Sequence, residues 1–283
     1  MTIKYQCVSC GVALEFPKPG AGVIGCSHCG YSYEYAPDYI KYDFDSLLFG
    51  KFKKQYLLNK VLNNNAYLSY LFLKEGSISL PERQEVKNFK NFILSHVQSG
   101  ALLDIGCGLM GVPGYLDFQT QGSFELAGID PIDDKSFKGL RVVGCSEFMP
   151  FADAEFDAVI FATSLDHTCS MRYSIREAYR VLAPGGKVLV WMSDPPALKL
   201  VDRIRSALYT VAGTLKKGYR MDRFYIHPNW TVFYKPPGAA DPFHRIIENP
   251  KMILGLMMEE QFAHIETSYI SNLEVFLCLS KKI

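Results

Sequence analysis

The pattern of apolar and polar positions changes character along the chain. From about residue 37 to 98, apolar residues recur at helical spacing, as at Leu57, Leu58, Val61 and Leu62, which predicts two to four helices leading into a larger domain. From residue 99 the pattern shifts to short unbroken apolar runs: ALLD ending at Asp104, LAGID ending at Asp130, FDAVIFA, and KVLVWMS. Runs this short, bounded by Gly, Pro and Asp, read as buried strands, and helical stretches such as EAYRVLA alternate with them. Strand, helix and strand in alternation predict an α/β fold, doubly wound around a mainly parallel sheet, over residues 99–283.

The first 36 residues have too few apolar positions for a core and a different signal. Cys7 and Cys10 form one CxxCG knuckle and Cys26 and Cys29 another, fifteen residues apart, which is the spacing of a four-cysteine zinc site. Gly11 and Gly30 follow the second cysteine of each pair, where a knuckle needs a permissive backbone. Four thiolates close a tetrahedral site and leave no open position, so a structural Zn2+ is expected to hold a zinc ribbon over residues 1–36. His28 lies between two ligands and is read as a bystander.

Composition narrows the partners. At 283 residues the chain has room for one substantial α/β domain and a small appendage. Thirty basic against 29 acidic residues leave no overall positive field of the kind that wraps nucleic acid, which disfavours an RNA substrate. The start, MTIKYQCVSC, lacks the basic and apolar regions of an export signal, and no apolar run approaches the ~20 residues of a membrane span. A soluble, cytoplasmic protein without membrane insertion is expected, with its eight cysteines as thiols or metal ligands. A monomer or homodimer fits equally well. Lys51, Lys53, Lys54 and Lys60 read as a solvated helix face, with an anion-binding patch as the alternative.

A cofactor site is legible where ALLDI runs into GCGLMGVPGYL. A glycine-rich turn at the carboxyl end of a parallel strand brings backbone close to a ligand, and an apolar stretch after it could open a helix. Asp130, ending the second strand, is placed to accept both hydroxyls of a ribose. Glycines and Asp130 alone would also suit an NAD-dependent Rossmann enzyme. DIGCG, GIDP, SEFMPFADAEFDAV and RVLAPGG together, in this order and spacing, resemble the class I S-adenosylmethionine (SAM) dependent methyltransferases of the type 11 group, over residues 100–195.

That resemblance implies a seven-stranded sheet and SAM as cofactor. Asp104 would orient the methionine amino group through its neighbourhood, and Gly106, Cys107 and Gly108 would form the loop that admits the cofactor. Asp130 and Pro131 would border the ribose, Cys145, Ser146 and Glu147 the adenine, and Ala162 the methionine moiety. Two departures stand out. Met110 occupies the usual third glycine position, with Gly111 one place later, and Cys145, a weak acceptor, replaces an aspartate that often binds the adenine amino group. Losing one such hydrogen bond costs about 0.5–1.5 kcal/mol, so SAM binding should survive. The ribbon likewise resembles those ahead of some methyltransferases, including bacterial ribosomal RNA guanine methyltransferases.

Methyl transfer from a sulfonium is an in-line displacement, and a hydroxyl acceptor also needs its proton removed. Asp166 and His167 follow the fourth strand on the loop that faces the cofactor in this fold. His167 is the expected general base and Asp166 its orienting or substrate-binding partner; the alternative is a pair that caps the next helix. The family pattern expects a final helix at about 250–262 and strands at 264–270 and 273–280. Residues 194–248 are then an insertion, placed where the family builds a lid over the acceptor. His244 in this insertion is a second acid/base candidate, and Tyr225, His227, Trp230, Phe233 and Tyr234 form either a stacking platform or an aromatic-packed hairpin. The set DIGCGLMGVPGYL, ATSLDH and DPFH is similar to family members found with sugar-modifying genes. This favours O-methylation of a glycan or small-molecule hydroxyl. The alternatives are an RNA-base methyltransferase that uses the ribbon as its RNA contact, and a SAM-binding scaffold without turnover.

Overall fold

The computed structural model describes residues 3–17, 20–75, 83–109, 111–117, 124–193, 224–226, 232–234, 249–270 and 274–282. Five short strands come first: β1 (Tyr5–Gln6), β2 (Ala13–Leu14), β3 (Gly22–Gly25), β4 (Ser32–Ala36) and β5 (Tyr39–Tyr42). Helices α1 (Phe44–Glu75), kinked at Phe52, and α2 (Gln84–His96) lead into β6 (Gly100–Ile105), β7 (Phe124–Asp130), β8 (Leu140–Val143) and β9 (Phe156–Ala162). Then follow α3 (Met171–Val181), β10 (Leu182–Ser193), a hairpin of β11 (Phe224–Ile226) and β12 (Val232–Tyr234), α4 (Pro250–Glu259), β13 (Phe262–Tyr269) and β14 (Glu274–Lys281).

One sheet organises the molecule, in the order β13-β14-β10-β9-β6-β7-β8-β5-β4-β3. Strands β10, β9, β6, β7 and β8 run parallel, and β14 and β13 complete one side antiparallel. These are the seven strands expected, but the sheet has ten. Tyr39–Lys41 pairs in parallel with Arg141–Val143, and β4 and β3 add on antiparallel. Residues 39–42 are therefore strand, where the helical lead-in was expected to begin at 37. The aromatic and β-branched run YIKY suits a pleated surface, and pairing covers an edge that β8 would otherwise leave open. The helix starts only after Asp43, whose carboxylate accepts the Ser46 amide at 3.1 Å as an N-cap.

Apolar layers cover both faces of the sheet. α3 turns Met171, Ile175, Ala178 and Val181 inward at i, i+4, i+7 spacing and leaves Arg172 and Arg176 to pair with Glu259 and Glu260 beside α4. On the opposite face Phe89 and Phe92 of α2 pack on Trp191 and Phe276. Leu62 of α1 is buried, whereas Leu57 is half exposed. No helix among the described residues is long and apolar enough to cross a membrane.

The helix foreseen after the glycine loop is replaced, in the described residues, by one 3-10 turn at Gly114–Leu116; Gly111, Pro113 and Gly114 so close together interrupt helical propagation. In the insertion, Phe224 pairs with Tyr234 and Tyr225 with Phe233 in the antiparallel hairpin. The amphipathic segment, His227, Trp230 and His244 lie outside the described residues.

Candidate functional site

A cavity opens at the carboxyl ends of β6, β7 and β9, the position at which doubly wound sheets bind ligands. Gly106 and Gly108 form one wall. Gly106 has φ +83°, and a Cβ there would overlap the Ser164 side chain, so the turn out of β6 admits only glycine. Gly111 adopts φ +69°. Asp130 and Pro131 line the cavity at the end of β7, Cys145, Ser146 and Glu147 line it after β8, and Ala162 closes it at the end of β9. Asp104 and Cys107 lie behind the wall and do not line it.

The charged residues in the wall and behind it are all buried. Asp130 accepts the Gly108 amide at 2.9 Å on one oxygen and the Ile132 amide at 2.8 Å on the other, so it fixes the loops on both sides of itself. Burial raises its pKa, against the pull of the Arg141 guanidinium. Arg141, fully buried on β8, donates to Cys107 Sγ at 2.6 Å and to the carbonyls of Gly108 and Ile132 at 3.1 and 2.5 Å. Asp104 receives the Tyr115 hydroxyl at 3.0 and 3.2 Å, and burial pushes its pKa up to about 7. Glu147 is also buried, with a raised pKa, and accepts the Ser170 amide at 3.0 Å.

The opposite wall carries the candidate base. After β9, Thr163 holds φ +54°, a strained conformation for a β-branched residue, and a 3-10 turn at Leu165–His167 follows. His167 and Thr163 line the cavity, together with Leu48 and Asn63 of α1. The His167 ring lies close enough to Asp130 to lower that carboxyl's pKa. Asn59, almost fully buried on α1, donates to the His167 carbonyl at 2.8 Å and ties the helix to this turn. Asp166 is buried beside the cavity; its carboxylate is 3.9 Å from His167 Nε2, an ion-pair separation longer than a hydrogen bond. The capping alternative does not hold, since Ser170 is the N-cap of α3.

At the ribbon, the four sulfurs of Cys7, Cys10, Cys26 and Cys29 lie within 4.8 Å of one another. Cys7 to Cys29 and Cys10 to Cys26 are each 3.6 Å apart, close to the separation of about 3.8 Å between thiolates on a tetrahedral ion with 2.3 Å bonds. The amides of Gly11 and Gly30 return to the carbonyls of Cys7 and Cys26 at 2.8 Å, closing both knuckles, and both glycines have positive φ.

A family model described as a methyltransferase domain matches residues 103–190, the span that runs from the glycine loop through β10. The match takes in just under a third of the chain, and over that span the chain is similar to methyltransferases. Ubiquinone/menaquinone biosynthesis C-methyltransferases are among its relatives: the one from Geotalea daltonii is 26% identical over 38% of this chain and 51% of that protein. The one from Rhizobium leguminosarum bv. trifolii is 25% identical over 68% of this chain and 74% of that protein. The chain spans about half the length of the first curated relatives it matches. In fold it is similar to the 1,6-didemethyltoxoflavin-N1-methyltransferase of Burkholderia thailandensis, at a TM-score of 0.50 and 12% identity over 78% of this chain and 90% of that one.

Around this methyltransferase domain, sequence reasoning missed residues that lie far off in the chain. Leu48, Asn59 and Asn63 reach the site from α1, and nothing local marks them. Arg141 did carry a signal, a charge inside the apolar run LRVV. Of the α1 lysines, Lys51 lies over the Tyr173 ring at 4.2 Å and Lys60 pairs with Asp45 at 3.2 Å, in keeping with a solvated face.

Proposed function

We propose that this chain is a methyltransferase that delivers the methyl group of SAM to a hydroxyl of a carbohydrate or another small molecule, with His167 as the general base. What carries the proposal is that His167 and Asp130 line one cavity, a base opposite a ribose-binding carboxylate. When bound, SAM supplies an electrophilic methyl on a sulfonium. Gly106 and Gly108 would admit it, with open space where Gly108 has no side chain. Each oxygen of Asp130 keeps a lone pair beyond its amide bond for a ribose hydroxyl. Ser146 and Glu147 would flank adenine, Ala162 the methionine portion, and Asp104 would serve its amino group from behind the loop. His167 takes the acceptor proton on its imidazole, and Asn59 holds the turn that carries it. Asp166 supports the imidazolium electrostatically. His244 is retained as a second acid/base candidate.

The cysteine cluster is read as one structural zinc. A Cys7→Ser/Cys26→Ser protein that folds and retains metal would overturn that assignment. The names of the relatives favour a second acceptor, a carbon atom, for which the same imidazole would remove the proton. RNA is disfavoured further by the sequence of the ribbon and the strand after it, where Lys4, Lys18 and Lys41 are outnumbered by Glu15, Glu34, Asp38 and Asp43. The test offers methyl-labelled SAM and the full chain to cell fractions, with and without nuclease, and identifies the methylated product by NMR. An oxygen-bound methyl on a nuclease-resistant molecule is expected. A carbon-bound methyl selects the second acceptor, and nuclease-sensitive label overturns both.

A further inference from the structure

The ribbon is tied to the wall of the cavity through Tyr42 of β5. Tyr33, fully buried on β4, donates its hydroxyl to Cys7 Sγ at 3.3 Å and accepts the Val8 amide at 2.8 Å. Its ring packs against that of Tyr42 on β5, with centroids 6.1 Å apart. The Tyr42 hydroxyl accepts the Cys145 amide at 3.1 Å and donates to the Phe148 carbonyl, and its ring fills the space that a side chain at Gly144 would occupy. Gly144 through Glu147 line the cavity. A second tether holds the loop after Asp130: Asp133 accepts the Tyr39 hydroxyl at 3.0 Å and Lys41 Nζ at 2.7 Å. A third runs from β1, where the Gln6 amide donates to the Pro150 carbonyl at 3.0 Å and the Lys4 carbonyl accepts the Ala152 amide at 3.0 Å.

We propose that Tyr42 is a positioning residue for the adenine side of the cavity, and that the thiolate cluster and the cofactor site are energetically coupled through it. A ribbon this small depends on its metal to fold, and β5 is continuous with it. Loss of the metal frees Tyr42, leaves the buried Cys145 amide unpaired and loosens the wall. Linkage then requires the converse, that a ligand in the cavity raises the affinity for the metal by the same factor that the metal tightens the ligand. The proposal rests on the zinc and SAM assignments above.

The test uses the full chain, with S-adenosylhomocysteine (SAH) as the cavity ligand and a chromogenic chelator to draw off zinc. Tyr42→Phe keeps the ring and removes only the hydroxyl. It should retain one zinc per chain yet bind SAH about tenfold more weakly, the loss of one to two hydrogen bonds. At equilibrium with the chelator, saturating SAH should raise the zinc affinity of the unaltered protein several-fold, and that of Tyr42→Phe less. A purely structural role for the tyrosine would not move that SAH-dependent difference. Equal zinc affinities with and without SAH in the unaltered chain overturn the coupling whatever the variant does, and unchanged SAH affinity in Tyr42→Phe overturns the role of the tyrosine. An unaltered chain that lacks zinc or does not bind SAH instead overturns the assignments beneath the proposal, and the proposal with them.

Discussion

Replacing Asp104 by Asn isolates the buried charge behind the glycine loop. The carboxyl is fully buried near the end of β6, and burial raises its pKa from 3.8 to about 7, with the Asp130 charge adding to the rise and Tyr115 and Arg141 opposing it. A raised native pKa means that the folded chain holds this proton more tightly than the unfolded chain. Its stabilising contribution is thus fully present below about pH 4 and is lost as pH rises through about 7. At about 1.36 kcal/mol per pH unit, a shift of about three units is worth about 4 kcal/mol, and roughly 3 kcal/mol of that falls between about pH 5 and pH 8. Asn keeps the shape and still accepts the Tyr115 hydroxyl but cannot ionise. Urea unfolding of both proteins should therefore show their stability difference moving by about 3 kcal/mol in favour of Asp104→Asn over that range. Glu147, which shifts in the same direction, is present in both proteins and cancels, whereas the Asp130 charge is coupled to Asp104 and its response is part of the measured difference. A difference constant to within about 0.5 kcal/mol across these pH values would refute the reasoning.

Three other outcomes are expected. His167→Ala should lose about 10²- to 10⁴-fold in turnover while calorimetry finds SAH affinity unchanged; a loss under about threefold with the true acceptor removes the imidazole from the chemistry. Thr163→Gly should relieve about 1–3 kcal/mol of strain at φ +54°, partly offset by glycine's added chain entropy, and so hold or raise the thermal midpoint while turnover falls; a clear loss of stability contradicts the strain assignment. Arg141→Met should destabilise the fold by about 3 kcal/mol and weaken SAH binding, because the Gly108 and Ile132 carbonyls lose their shared donor beside two buried carboxylates; equal stability by urea titration contradicts that role.

Legibility in the sequence followed how local each signal was. Unbroken apolar runs announced β6, β7, β9 and β10, because a strand buried on both faces has no polar side to show. The cysteine knuckles and the glycine loop were equally plain, since each needs residues of one kind at fixed spacing. The edge of the sheet was harder to see. YIKY is four residues long, and its partner on β8 lies a hundred residues away, so only tertiary pairing reveals the ribbon as part of the main sheet. Apolar content after the glycine loop suggests a helix, but Gly111, Pro113 and Gly114 hold the described residues there to a 3-10 turn. The α1 side of the cavity was invisible for a similar reason: Leu48, Asn59 and Asn63 share a helix face whose neighbours are fixed by packing.

The central claim, that the cavity between Asp130 and His167 holds the cofactor, is tested most directly by calorimetric titration of SAH into the unaltered chain and into Asp130→Ala. The account expects one SAH per chain, and binding about tenfold or more weaker once the carboxylate is gone, since a hydrogen bond to a charged group contributes about 1.5–3 kcal/mol. An unaltered chain that does not bind SAH, or an Asp130→Ala protein that binds it equally well, would contradict it.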